Sequence, residues 1–184
     1  RRIARVPRHG QQLSEVLSLK RLRQLLANAR NLRIAVVGDF FLDAYFDCDP
    51  QLNEPSIETG RTARQVVRTR RQAGAAGTVV ANLAALGCAH IEPIGYLGDD
   101  GEGFELRRSL DSIGADTSHL ICAPDRVTPT YAKPCIVERD GRNDWLVTSE
   151  LERLDIKNRR PTPRALQSDL ISQIRARVPR ADAT

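Results

Sequence analysis

The sequence predicts an α/β fold: a central parallel sheet flanked by helices, with a small β element standing off it. Three observations lead there. Short apolar runs alternate with helical stretches, an order that favours parallel strands joined by crossover helices. Arg33-Ile34-Ala35-Val36-Val37, ended by Gly38, has the unbroken apolar character of a strand covered on both faces. Further on, Pro50, Asn53 and Pro55 interrupt the chain, and Glu58 to Arg71 mixes charge with Val66 and Val67, as a half-exposed strand would.

Taken in order, Leu13, Val16, Leu17, Leu22, Leu25 and Leu26 recur at helical spacing and predict an amphipathic helix over Leu13–Ala29. It follows a basic leader, the two together spanning residues 1–30. After the first strand comes the polar accessory sheet, about residues 44–72. Gly74-Ala75-Ala76-Gly77 then reads as a loop opening a helix that stops at Gly87. A strand over about Ala89–Leu97 closes on Gly98-Asp99-Asp100-Gly101, and Phe104–Ile113 is helical. A strand covers about His119–Ile121. Thr130–Glu138 and Asp144–Thr148 flank Asp140-Gly141 as a hairpin, and Ala165–Arg175 forms a last helix after two prolines.

Composition narrows the function classes. The 184 residues are 41% hydrophobic, enough for one packed core. No run approaches the roughly 18 apolar residues of a membrane span, and the basic start has no apolar segment behind it, so the expected location is cytoplasmic and no membrane partner is expected. The net charge of +5 comes from scattered arginines, with lysine only at Lys20, Lys133 and Lys157. Aromatic side chains are not interleaved with them, which disfavours nucleic acid. The four cysteines, Cys48, Cys88, Cys122 and Cys135, form no metal-ligand spacing and are expected as free thiols, with Cys88 and Cys135 in the core.

Three constellations could carry chemistry. Asp39 and Asp43 follow the carboxyl end of a buried strand, where ligands bind in open α/β sheets, and a carboxylate there suits a pair of sugar hydroxyls. The competing reading is a turn-capping Asp39 and a solvated Asp43. The Gly74–Gly77 stretch would let a ligand approach the backbone at a helix start, or serve only to pack the helix on a sheet. The acidic Gly98–Gly103 segment lacks calcium-loop spacing and reads best as a turn and helix cap.

In order, RIAVVGDFFLD (Arg33–Asp43), AGAAGTVVANLAALG (Ala73–Gly87), IGYLGDDGEGFELRRSLDSIGAD (Ile94–Asp116), TPTYAKPCIV (Thr128–Val137) and LERLDIKNRRP (Leu151–Pro161) resemble the amino-terminal part of the ribokinase-like (PfkB) carbohydrate kinases, most of all the heptose-7-phosphate kinase branch. The resemblance implies a ribokinase-like domain over residues 31–184, with a β lid at about 44–72 and 128–149. It implies ATP and Mg2+ as cofactors, a sugar or sugar phosphate as substrate, and a homodimer through the lid. Asp43 matches the family's sugar-binding aspartate, Gly74 and Ala75 its di-glycine, and Lys133 lies in the lid hairpin. Arg64, Arg68, Arg70 and Arg71 would suit an anionic substrate. Ala75 replaces a glycine and Thr78 an asparagine. The catalytic base, carried by the family in a later motif, is expected beyond Thr184. The alternative is a non-catalytic sugar-binding or regulatory remnant of the same fold.

Overall fold

The structure, a computed structural model, describes residues 17–184. The basic leader and the Leu13–Val16 part of the predicted first helix lie outside them. Within them, helix α1 spans Leu19–Ala29, because the Ser18 hydroxyl accepts the Arg21 N–H at 3.2 Å and fixes the start. No residue of α1 is buried, so its leucine face does not lie on this body as expected.

The core sheet is parallel and three-stranded. Strand β1 (Arg33–Val37) matches its predicted range, with Ile34, Ala35 and Val36 buried. After it come β2 (Phe40–Cys48), β3 (Glu54–Pro55), β4 (Thr62–Ala63), β5 (Val66–Ala75) and helix α2 (Ala76–Ala85). Strand β6 (His90–Gly98) lies beside β1 from Arg33↔His90 to Val37↔Ile94. Pro93 sits inside it without harm. The Ile94 carbonyl faces β1, accepting from Gly38, whereas Ile91 turns the other way, accepting from Asp116. Pro93 shares Ile91's side, where the next strand has not yet begun, so its missing N–H costs no ladder bond.

Helix α3 (Gly101–Ser112) leads to β7 (Leu120–Ala123), which pairs with β6 from Gly95↔Leu120. The strand predicted at His119–Ile121 starts later because Asp116 caps a 3-10 turn over Thr117–His119, accepting the Ser118 N–H at 3.1 Å. Val80 of α2 and Leu106 and Leu110 of α3 are fully buried against Phe40, Leu42, Ile91 and Leu97. Each such side chain contributes about 1.5–3 kcal/mol relative to exposure.

The second sheet runs β10-β8-β2-β5, with β9 on the other part of β8. Here β8 is Thr130–Arg139, β9 Trp145–Glu150 and β10 Leu154–Ile156; helix α4 (Arg164–Arg177) closes the chain against β6. The predicted hairpin is β8–β9. The sheet is mixed: β2 pairs antiparallel with β5 but parallel with β8. The sequence reading missed β10, a three-residue strand. The expected Gly74–Gly77 loop is also corrected. Gly74 and Ala75 finish β5, paired with Phe41 and Phe40, and the helix begins at the next residue.

Candidate sugar-binding face

Strand periodicity builds this site. Phe41, Asp43, Tyr45 and Asp47 alternate along β2 and share one face. Their partners on β5 are Gly74, Gln72, Arg70 and Arg68, and on β8 Asp43 pairs with Tyr131 and Tyr45 with Lys133. Asp43 is 9% exposed, and Lys133 Nζ lies 2.7 Å from its Oδ1. The same ammonium donates to the Tyr45 hydroxyl at 3.2 Å and lies 4.7 Å from that ring's centroid. Burial opposes the charge on Lys133, but hydrogen bonds to Asp43 and Tyr45 prevail and hold its pKa above the usual lysine value.

Gly74 is required here. A Cβ at this position would stand 2.8 Å from Asp43 Oδ2 and 2.7 Å from Phe41 Cδ2. The backbone therefore comes directly against the carboxylate. Phe41 and Tyr131, with centroids 4.5 Å apart, add an aromatic wall to the same face. Ala75 follows with φ 50° and ψ −116°, a conformation that suits glycine, and caps α2 with no side-chain bond.

Three of the six residues picked from sequence thus come together: Asp43, Gly74 and Lys133. Thr78 is exposed in the first turn of α2, and its side chain hydrogen-bonds none of the described residues. Asp39 is placed elsewhere. Its carbonyl accepts the Ala76 N–H at 3.1 Å, and with Ala75 it lines a separate, mostly apolar cavity of about 570 Å³ along β1 and α2.

The expected arginine patch is not one patch. Arg68 and Arg70 both bind Asp47, which is wholly buried. Arg71 points to the opposite face and donates to Thr69, while Arg64 borders a different cleft near Glu150. Burial works against the ionised Asp47, yet Arg70 and Arg68 hold its carboxyl below the usual range. Tyr45, Asp47 and Tyr131 were missed in the sequence, although the two-residue alternation from Phe41 to Asp47 carries the signal.

The acidic Gly98–Gly103 segment is structural, as read. Asp100 caps α3, accepting the Gly103 N–H at 2.7 Å. Among the described residues, no group of three or more His, Cys, Asp or Glu side chains is placed to hold a metal ion.

No family model matches the chain. Two curated relatives, both bifunctional proteins HldE, do. That of Trichlorobacter lovleyi is 27% identical over 161 residues, covering 86% of this chain and 30% of the relative. That of Geotalea uraniireducens is 33% identical over 143 residues, covering 74% and 29%. The chain spans less than a third of these relatives' length. Among solved structures, a protein of Clostridium perfringens provisionally described as a sugar kinase superposes with a TM-score of 0.50 at 14% identity, over 79% of this chain and 40% of the other. With a helix-flanked parallel sheet and a second sheet beside it, the chain has a ribokinase-like fold, and its sequence is similar to part of these bifunctional proteins HldE.

Proposed function

We propose that this chain is the sugar-holding part of an ATP-dependent carbohydrate kinase, acting on a sugar or sugar phosphate in the cytoplasm. The observation that carries the reading is the Asp43 carboxylate standing against the Gly74 backbone. Its Oδ1 is neutralised by Lys133, and its Oδ2 lies against the Gly74 backbone beside the Phe41 ring. A buried carboxylate with an open oxygen can accept sugar hydroxyls, and the Phe41–Tyr131 wall suits the C–H face of the ring. Lys133 would contact the substrate, Ala75 would present its backbone and Thr78 its hydroxyl; Asp39 would stand at the neighbouring cavity.

The second sheet would act as the lid, and its largely exposed β9 would support a homodimer. ATP, with Mg2+, would supply the phosphoryl group. Substrate binding and orientation are what these side chains can perform.

The test is calorimetric titration of the full chain with aldoses, ketoses and their phosphate esters, alongside phosphate transfer from ATP. Saturable binding that falls about 10- to 100-fold in Asp43→Asn supports the sugar site, since bonds to a charged group are worth about 1.5–3 kcal/mol. Binding without transfer supports the non-catalytic role. No binding to any sugar would overturn both.

A further inference from the structure

We propose that Asp47 is a positioning residue that withholds Arg70 from Asp43, leaving the hydroxyl-accepting carboxylate with one open oxygen. The role rests on the sugar reading of Asp43 above. In the β2–β5 ladder, Asp43 is opposite Gln72 and Tyr45 is opposite Arg70, so Arg70 is a diagonal neighbour of Asp43 on the shared face. Diagonal neighbours lie about 7–8 Å apart, within reach of a long side chain. An arginine there would clasp a carboxylate through both oxygens at once. Asp43 would then have nothing to offer a sugar.

Asp47 prevents this. It takes Arg70 in a fork, Nε to Oδ2 at 3.0 Å and Nη2 to Oδ1 at 2.9 Å, and takes Arg68 Nε at 2.6 Å. Tyr45 helps, with the Arg70 guanidinium 4.5 Å from its ring centroid. The cation left for Asp43 is Lys133, a compact charge that binds one oxygen. Arg70, Tyr45 and Lys133 lie side by side across three strands, so the partner of one carboxylate decides the partner of the other.

The chain's three lysines allow a readout that needs no ligand. Reductive 13C-methylation of the full chain gives a separate NMR titration for Lys20, Lys133 and Lys157. In Asp47→Asn, Arg70 should take Asp43 and the Lys133 titration should fall towards that of an ordinary lysine. Lys157 should not move. Adding Arg70→Gln should restore Lys133, although the buried Asp47 pair is still gone; a purely structural role for Asp47 would not produce that rescue.

Where Asp47→Asn fails to fold, the triple variant Asp47→Asn/Arg68→Gln/Arg70→Gln should fold and keep the parent Lys133 titration. An unmoved Lys133 in folded Asp47→Asn, no recovery on adding Arg70→Gln, or a lowered Lys133 in the folded triple variant would each overturn the proposal. A chain that binds no sugar yet gives these titrations loses the sugar reading alone. Asp43-dependent sugar binding without them loses only the role of Asp47.

Discussion

The Asp100 carboxylate accepts the Thr128 N–H at 2.8 Å, and the Thr128 hydroxyl accepts the Gly98 N–H at 2.8 Å. These bonds tie the end of β6 and the start of α3 to the residues leading into β8. One side chain therefore caps a helix and fixes where the second sheet joins the core.

Asp100→Ala should remove both functions. Loss of a helix cap costs about 0.5–2 kcal/mol, and the unpaired Thr128 N–H adds to it. Burial works against the Asp100 charge, but bonds from Thr128 and Gly103 outweigh it and lower its pKa. Its contribution is thus present above the normal carboxylate pKa and fades as pH falls through the folded value. Urea melts from pH 7 down to pH 3 should show parent and Asp100→Ala converging in acid.

Ala75 should be improved by glycine. A non-glycine residue in a sparsely populated region costs about 1–3 kcal/mol, whereas added unfolded-state freedom from glycine costs about 0.4–1 kcal/mol. At φ 50° and ψ −116° the relief of strain outweighs the added freedom. Ala75→Gly should raise the melting temperature by a few degrees, and Ala75→Val should lower it.

Lys133→Met should destabilise by more than a surface ion pair does, about 1–3 kcal/mol, because it leaves Asp43 buried with its charge uncompensated. The double variant Asp43→Asn/Lys133→Met should recover much of that loss in a urea melt. The Lys133 contribution has the sign of a raised pKa. It is complete below the normal lysine value and lost as pH rises through the folded one.

The four thiols should react in a fixed order with a chromogenic disulfide under native conditions. Cys122 is exposed and should react first, and half-buried Cys88 more slowly. Burial pushes the thiols of Cys48 and Cys135 up in pKa, so both should stay protected until the chain unfolds. Rapid labelling of all four in the folded state would contradict this burial.

The parts of this fold legible in the sequence are those set by local pattern. β1 shows in the apolar run Ile34–Val37, and the β8–β9 hairpin in Asp140-Gly141. β10 is too short to carry a period, and Gly74-Ala75 resembles a loop because small residues fit turns and crowded strand ends equally well. Asp43 is legible through its place after a buried strand. Its contact with Lys133 depends on the parallel register of β2 with β8, which nothing local specifies. The arginines mislead for the same reason: Asp47 is 21 positions from Arg68 and 23 from Arg70, and only the ladder makes them neighbours.

The parallel pairing of β2 with β8 also sets a timetable. Tyr45 and Lys133 are 88 positions apart, so during synthesis β2 waits with one edge vacant while the intervening helices and strands emerge. Closing so long a loop is slow compared with forming the β8–β9 hairpin or an isolated helix. The chain therefore acquires its scaffold before the Asp43–Lys133 pair. Until β8 arrives, Asp43 has no ammonium beside it, and a nascent chain stalled before Lys133 would carry the carboxylate without its partner.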